Sequence, residues 1–130
     1  MPHLHIEYSK PLEAKADLPA LVSALHQGMV ASEVFPTAGI RVRAFAADHA
    51  IVADGLAEND FLAMTLSVGA GRTAEVLKAE GDTLFTIARA QLADLLAAPY
   101  FALSLEIRVA DPALSWKDTP IHARLSKGQS

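Results

Sequence analysis

The stretch MPHLHIEY, residues 1–8, places a proline directly behind the initiator methionine and then alternates. Leu4, Ile6 and Tyr8 fall on one side of the alternation, and two histidines and a glutamate fall on the other. This period of two is typical of a half-buried strand. We therefore predict that the chain begins with a strand, which ties Pro2 into a sheet.

The position of Pro2 makes it a candidate general base. If Met1 is removed, Pro2 carries a free secondary amine. An α-amino group has a pKa of about 8, and burial in an apolar pocket lowers it, so the amine can be neutral at neutral pH. A neutral amine with such a pKa suits proton abstraction. On position alone, an ordinary terminus without chemistry is the commoner case.

The first half of the chain continues with a helix and a second strand. Asp17 and Pro19 are typical of a helix start, and the apolar stripe that follows runs to about Ser32. Residues 40–45 then alternate as a strand. Over 48–59 we predict a hairpin excursion, with a short strand at 50–53 and a turn at Asp54-Gly55.

The second half repeats this succession of elements. Residues 61–68 form a strand that is apolar on both faces, which indicates an interior position. A long helical pattern follows and ends before Pro99, and residues 100–109 form the last strand. The tail has too few apolar residues for a core of its own, and we expect it to pack on a neighbouring subunit.

The predicted fold class is therefore α/β (α+β): two β-α-β units form a four-stranded mixed sheet with two helices on one face. Residues 1–130 make one domain of 13.8 kDa. We expect the other sheet face to be bare and apolar, and hence to be covered by oligomerisation.

Composition excludes several classes of function. Without cysteine the chain has no disulfide, thiol nucleophile or thiolate metal site. A net charge of -4 argues against nucleic-acid binding, which needs a basic face. No apolar run reaches membrane-spanning length, and no secretion signal opens the chain, so we expect a cytoplasmic protein.

Three polar motifs have competing interpretations. The segment GAGRTA at 69–74, which spans a loop and a helix start, formally fits a dinucleotide-binding pattern. It lacks the acidic residue expected at the end of the next strand, so we predict only an anion site beside Arg72. Arg41 and Arg43 share one strand face, either as solvated side chains or as carboxylate ligands. His3 and His5 lack a third ligand, so we predict no metal site.

Four segments together resemble the 5-carboxymethyl-2-hydroxymuconate isomerase family of the tautomerase superfamily. The resemblance runs nearly end to end and includes the tail. The segments are MPH at 1–3, FPTAGIRVR at 35–43, MTLSVGAGR at 64–72 and LSLEI at 103–107.

This resemblance implies a homotrimeric, cofactor-independent isomerase of aromatic-acid catabolism that acts on a small carboxylate substrate. It implies that Pro2 is the base and that Arg41 and Arg72 hold the carboxylate and 2-oxo end of the substrate. Arg43 receives no role. Two alternatives stay open: a promiscuous tautomerase of other 2-oxo acids, and a non-catalytic module that binds small molecules.

Overall fold

A computed structural model describes residues 1–128. Helix starts are fixed by side chains that the sequence supplies. The Asp17 carboxylate accepts a hydrogen bond from the Ala20 amide at 3.0 Å, and the Thr73 hydroxyl accepts one from the Val76 amide at 3.2 Å. The elements are β1 (His3–Ser9), α1 (Leu18–Ser32), β2 (Arg41–Ala47), β3 (Asp60–Gly69), α2 (Ala74–Gln91), α3 (Ala93–Leu96), β4 (Phe101–Ala110) and α4 (Pro120–Gly128).

The four strands form one mixed sheet in the order β2-β1-β3-β4. β1 pairs in parallel with β2, β3 pairs in parallel with β4, and β1 and β3 are antiparallel. Each parallel pair is joined through a helix, α1 in the first unit and α2 in the second. The predicted pair of β-α-β units is confirmed, as is the interior position of β3.

The core lies between one sheet face and the helices α1 and α2. Leu4 of β1 stands opposite Leu66 of β3, and both side chains are fully buried. The helices approach each other closely at Gly28, where an added Cβ would lie 2.5 Å from Cδ1 of Ile87. Both helices therefore pack on the same face, as the sequence predicts.

The opposite sheet face is not apolar, and that part of the prediction is wrong. One row across the sheet runs Arg43, His5, Thr65 and Glu106. Alternation brings these polar side chains to the surface while their apolar neighbours fill the core. Any partner of this face would therefore meet polar and charged groups.

The segment between β2 and β3 also differs from the prediction. Residues 48–59 contain no strand, and β2 and β3 each pair with β1 instead of with each other, so they form no hairpin. A turn does occur here, with the Gly55 amide donating to the Val52 carbonyl at 2.9 Å and Gly55 at φ +85°. The predicted turn at Asp54-Gly55 is confirmed. The predicted strand at 50–53 is wrong, because a strand needs the edge of a neighbouring strand to pair with and this segment reaches none among residues 1–128.

Beyond β4 the tail forms α4, which the sequence did not predict. This helix packs against the short 3-10 turn at Thr37–Gly39, beside the start of β1. Among residues 1–128, no helix combines the length and apolarity that crossing a membrane requires.

Candidate active site

Pro2 is held at the start of β1 by a backbone hydrogen bond. Its carbonyl accepts from the Arg41 amide at 3.0 Å, which extends the parallel β1–β2 ladder by one position. The residue is buried. Met1 precedes it, so in this chain the Pro2 nitrogen is an amide and the free amine belongs to Met1. The prediction that the first strand ties Pro2 into the sheet is confirmed.

Gly39 forms the wall against which the proline ring lies. A Cβ on Gly39 would come within 3.2 Å of Pro2 Cδ and 3.6 Å of Met1 Cα. A side chain at this position would press on the proline ring, and the terminus would have to move by a few tenths of an ångström. The FPTAG segment, which begins after the C-cap of α1 at Glu33, therefore makes room for the terminus.

Arg72 reaches the same place from the loop after β3. Its Nε donates to the Val34 carbonyl at 3.2 Å, and its guanidinium lies 4.7 Å from the centre of the Phe35 ring. The carbonyl and the aromatic face fix the side chain while leaving its terminal nitrogens available. Arg72 is thus an oriented cation beside the terminus.

Arg41 is oriented differently. Its Nη1 donates to two carbonyls, that of Ala38 at 2.7 Å and that of Ile40 at 3.0 Å. It does not line the cavity described below. Of the three residues predicted for the site, Pro2 and Arg72 line one cavity, and Arg41 donates to the carbonyl of Ala38, which lines the same cavity.

Arg43 contacts a histidine instead of the cavity. Its Nη1 lies 3.0 Å from Nδ1 of His3. Because a guanidinium can only donate, Nδ1 accepts, which requires a neutral imidazole with its proton on Nε2. Burial, and next the charges of Arg43 and Arg41, lower the pKa of His3 in the same direction.

A cavity of ≈ 310 Å³ opens at this terminus. That volume is at the lower end of ordinary small-molecule pockets. Its charged side chains are cationic, and no aspartate or glutamate among residues 1–128 lines it. The lining residues are Met1, Pro2, Pro36, Ala38, Gly39, Arg72, Lys117, Thr119 and His122.

The terminal amine at this cavity has a perturbed pKa. Burial lowers the pKa of the Met1 amine below its ordinary 8.0, and the charges of Lys117, Arg72 and Arg41 lower it further, together with a hydrogen bond to Lys117. Each cause disfavours a second cation at this position. An amine at the terminus is therefore more readily neutral here than in water.

The tail contributes three cavity residues that sequence reasoning missed. Lys117, Thr119 and His122 lie in or just before α4 and reach the cavity because that helix packs on the Thr37–Gly39 turn. No periodic pattern marks them. Within residues 1–128, no group of three or more histidine, aspartate or glutamate side chains is arranged to hold a metal ion.

The comparisons with known proteins identify the family of this chain. The family model described as 5-carboxymethyl-2-hydroxymuconate isomerase matches residues 2–125. The chain is 37% identical over 123 residues to the 5-carboxymethyl-2-hydroxymuconate Delta-isomerase of Escherichia coli, covering 95% of this chain and 98% of that protein.

Solved structures agree at the level of the fold. A 5-carboxymethyl-2-hydroxymuconate isomerase from Deinococcus radiodurans R1 superposes with a TM-score of 0.88 at 36% identity, covering 95% of this chain and 93% of that one. A macrophage migration inhibitory factor-like protein from Entamoeba histolytica shares the fold alone, with a TM-score of 0.61 at 10% identity over 91% and 96% of the two chains. The predicted tautomerase-like fold is confirmed. The chain is an isomerase that belongs to the 5-carboxymethyl-2-hydroxymuconate isomerase family.

Proposed function

We propose that the protein isomerises 5-carboxymethyl-2-hydroxymuconate, or a similar unsaturated 2-hydroxy or 2-oxo polycarboxylate, with Pro2 as the general base once Met1 has been removed. The observation that carries the proposal is the position of the chain terminus. It lies in a cavity that is lined by cationic side chains and, among residues 1–128, by no carboxylate. The names of the E. coli and Deinococcus relatives support the substrate class.

The proposed reaction moves one proton and changes no oxidation state. The Pro2 nitrogen accepts a proton from the substrate and so generates a dienolate, and the protonated proline returns the proton to a distant carbon. The charge that develops on the 2-oxygen lies within reach of an oriented guanidinium, Arg72, in a partly enclosed site where such an interaction is strong. In this proposal Arg41 acts on the adjacent carboxylate from outside the cavity lining, since its charge reaches the terminal amine while its Nη1 donates to Ala38 and Ile40.

The test is to block the amine while leaving the core unchanged. Protein whose terminus is shown by intact mass to be Pro2 should turn over 5-carboxymethyl-2-hydroxymuconate, and protein with one residue in front of Pro2 should lose at least about 10²-fold in kcat, the ordinary contribution of a general base. Equal melting temperatures would show that the extension leaves the fold intact. Equal rates for the two forms would move the base elsewhere in the chain.

The pH dependence supplies a second test of the same base. An amine must be neutral to accept a proton, so kcat/KM should rise with pH as the terminus loses its proton. Burial and the neighbouring cations lower the pKa of the Met1 amine, and we expect the same cations to act in the same direction on a Pro2 amine, so the acidic limb should have its midpoint below about 8. A rate that is independent of pH between 5 and 8 in the Pro2-terminated protein would contradict the assignment.

The proposal extends to assembly and setting: a cytoplasmic homotrimer in aromatic-acid catabolism of the homoprotocatechuate type. Two apolar side chains of the tail support assembly, since Leu114 is 73% exposed and Trp116 is 85% exposed beside the cavity. Apolar groups this exposed favour burial against another chain. Sedimentation at micromolar concentration should give three times 13.8 kDa, and a 13.8 kDa species would contradict the trimer.

A further inference from the structure

Lys117 occupies an unusual position between two cavities. The first is the cavity at Pro2, and the second, of ≈ 220 Å³, lies on the other side of the terminus and is lined by His3, β3 and the tail. Among residues 1–128, only Met1 and Lys117 line both. Lys117 therefore borders the space that a molecule bound at the terminus would fill.

The charges around Lys117 lack a counter-ion within the described chain. Lys117 and Met1 line the same two cavities, and the charges of Lys117 and Arg72 both act on the Met1 amine. Among residues 1–128, no carboxylate oxygen lies within 4 Å of a side-chain nitrogen of Lys117 or Arg72. Placing cations of like charge together is unfavourable, and an anionic ligand removes that repulsion.

The two cations also differ in chemistry. Arg72 is a planar fork held by the Val34 carbonyl and the Phe35 ring, which suits one fixed oxyanion. Lys117 is a point charge on a flexible stem that also lines the second cavity, which Arg72 does not, and this suits a second anionic group whose position varies. A ligand with a carboxylate at each end would meet one cation with each.

We propose that Lys117 binds the second carboxylate of the ligand and so selects dicarboxylates over monocarboxylates. This inference rests on the proposed function for its substrate class, but it concerns recognition and not the proton transfer. Lys117 is accordingly a specificity-determining residue, and its contribution can be measured on molecules that do not react.

The test compares two unreactive six-carbon dienes that differ in one carboxylate: muconate, which has two, and sorbate, which has one. The chain has one tryptophan, Trp116, which lines the second cavity next to Lys117, so its fluorescence reports binding. Wild-type protein should bind muconate roughly tenfold more tightly than sorbate, as a charged hydrogen bond at a partly exposed site allows. Lys117→Met should bring that ratio close to one, and Lys117→Arg should preserve most of it.

A matched control separates this contact from the general loss of one positive charge. Lys10→Met removes an exposed lysine at the far end of β1, where it lies 3.6 Å from Asp48, and should leave the ratio unchanged. An unchanged ratio in Lys117→Met, or equal weakening of both ligands, would overturn the proposal. Because neither diene requires the Pro2 amine, failure of the isomerase test and failure of this test are distinguishable.

A kinetic measurement provides an independent readout. Lys117 lowers the pKa of the terminal amine, second only to burial among the causes. With an enol substrate that carries several carboxylates, Lys117→Met should raise KM more than it lowers kcat, and the acidic limb of kcat/KM should move to higher pH. A purely structural role would lower the melting temperature and would move neither the limb nor the binding ratio.

Discussion

The two ends of β1 use charge in opposite ways. At the start of the strand, Arg72 and Lys117 surround the terminus, and within the described chain they have no carboxylate partner. At its end, the carboxylate of Asp60 is 2% exposed and is fully engaged, since Oδ1 accepts from the Ser9 hydroxyl at 2.7 Å and Oδ2 accepts from Lys15 at 2.6 Å. One end is complete by itself, and the other end has a partner only in the proposed complex with an anionic ligand.

This difference has a physical basis in burial. A carboxylate removed from water is stable only when hydrogen bonds and a counter-charge replace its hydration, which explains the partners that meet at Asp60. The Ser9 hydroxyl also accepts from the Phe61 amide at 3.0 Å, so this network fixes the junction between β1 and β3. The cations at the other end remain partly hydrated, so they tolerate the lack of a partner until an anion binds. We therefore expect substitutions at the two ends to affect different measurements.

The largest expected effect is the loss of activity when a cation beside the start of β1 is removed. Arg72→Ala should lower kcat/KM for 5-carboxymethyl-2-hydroxymuconate by about 10²- to 10³-fold, the usual effect of removing one donor to a developing oxyanion. Arg89→Ala, at an exposed position in the last turn of α2, is the matched control and should retain activity. A normal rate in Arg72→Ala, with only a lower melting temperature, would make Arg72 a structural residue and would break the comparison.

The next largest effect is a loss of protein stability when the ion pair at the end of β1, between Lys15 and Asp60, is removed. Lys15→Met leaves the buried Asp60 carboxylate without its counter-charge and should lower the free energy of unfolding by about 2 kcal/mol. This expected loss is smaller than the usual cost of breaking a fully buried ion pair, because the Lys15 side chain is 42% exposed. Urea unfolding measures the change, and kcat of the folded protein should stay the same.

A second lysine provides the control for that experiment. Lys10 forms an ion pair with Asp48 in which both side chains are mostly exposed, so Lys10→Met should change stability by no more than about 0.5 kcal/mol. If the two lysine variants were equally stable, the Asp60 network would contribute no more than a surface pair, and the contrast between the two ends of β1 would be lost.

How far the sequence predicts each region depends on the range of the interactions involved. The alternation in β1 and β3 and the caps Asp17 and Thr73 are local signals, because each residue's face or partner lies a few positions away, and the corresponding elements were predicted. The prediction of a strand at 50–53 was wrong, because a strand forms only where another strand offers an edge for pairing, and the local sequence does not specify that edge.

The candidate site shows the same division. Pro2 and Arg72 could be placed from motifs, and the resemblance to a known family added Arg41. Lys117 could not be found, since it reaches the terminus only because α4 packs on the Thr37–Gly39 turn, a tertiary contact. A run such as Trp116-Lys117 in a polar tail has the composition of an ordinary surface segment. Its role appears only when the fold brings the two ends of the chain together.

The smallest expected effect is a change in stability at Glu80. This residue is a buried carboxylate like Asp60, but within the described chain it lacks a counter-charge, as the cations at the chain terminus do. It lies on α2, is 2% exposed, and its Oε1 has no hydrogen-bond partner within the described chain. Burial raises its pKa above the ordinary 4.5, while the Ser32 side chain acts in the opposite direction. Unlike Asp60, it has no counter-charge within 4 Å among residues 1–128.

The sign of the pH effect follows from that shift. Below about pH 4 the carboxyl is protonated in both the folded and the unfolded protein, so it makes no pH-dependent contribution. As pH rises, the unfolded chain loses the proton first, and the folded state is destabilised increasingly until its own, higher pKa is passed. Glu80→Gln removes this charge, so it should raise the free energy of unfolding by about 1 kcal/mol at pH 7, and the gain should shrink towards zero near pH 4.

The control for Glu80 lies on the same helix. Glu75 is exposed in the first turn of α2, where a negative charge interacts favourably with the helix N-terminus, so Glu75→Gln should give no gain at pH 7. Urea unfolding of both variants at pH 4 and pH 7 measures the difference. A loss of stability in Glu80→Gln at pH 7 would mean that the carboxylate has a partner as effective as Lys15 is for Asp60. Burial alone would then no longer explain why one carboxylate is paired and the other is not.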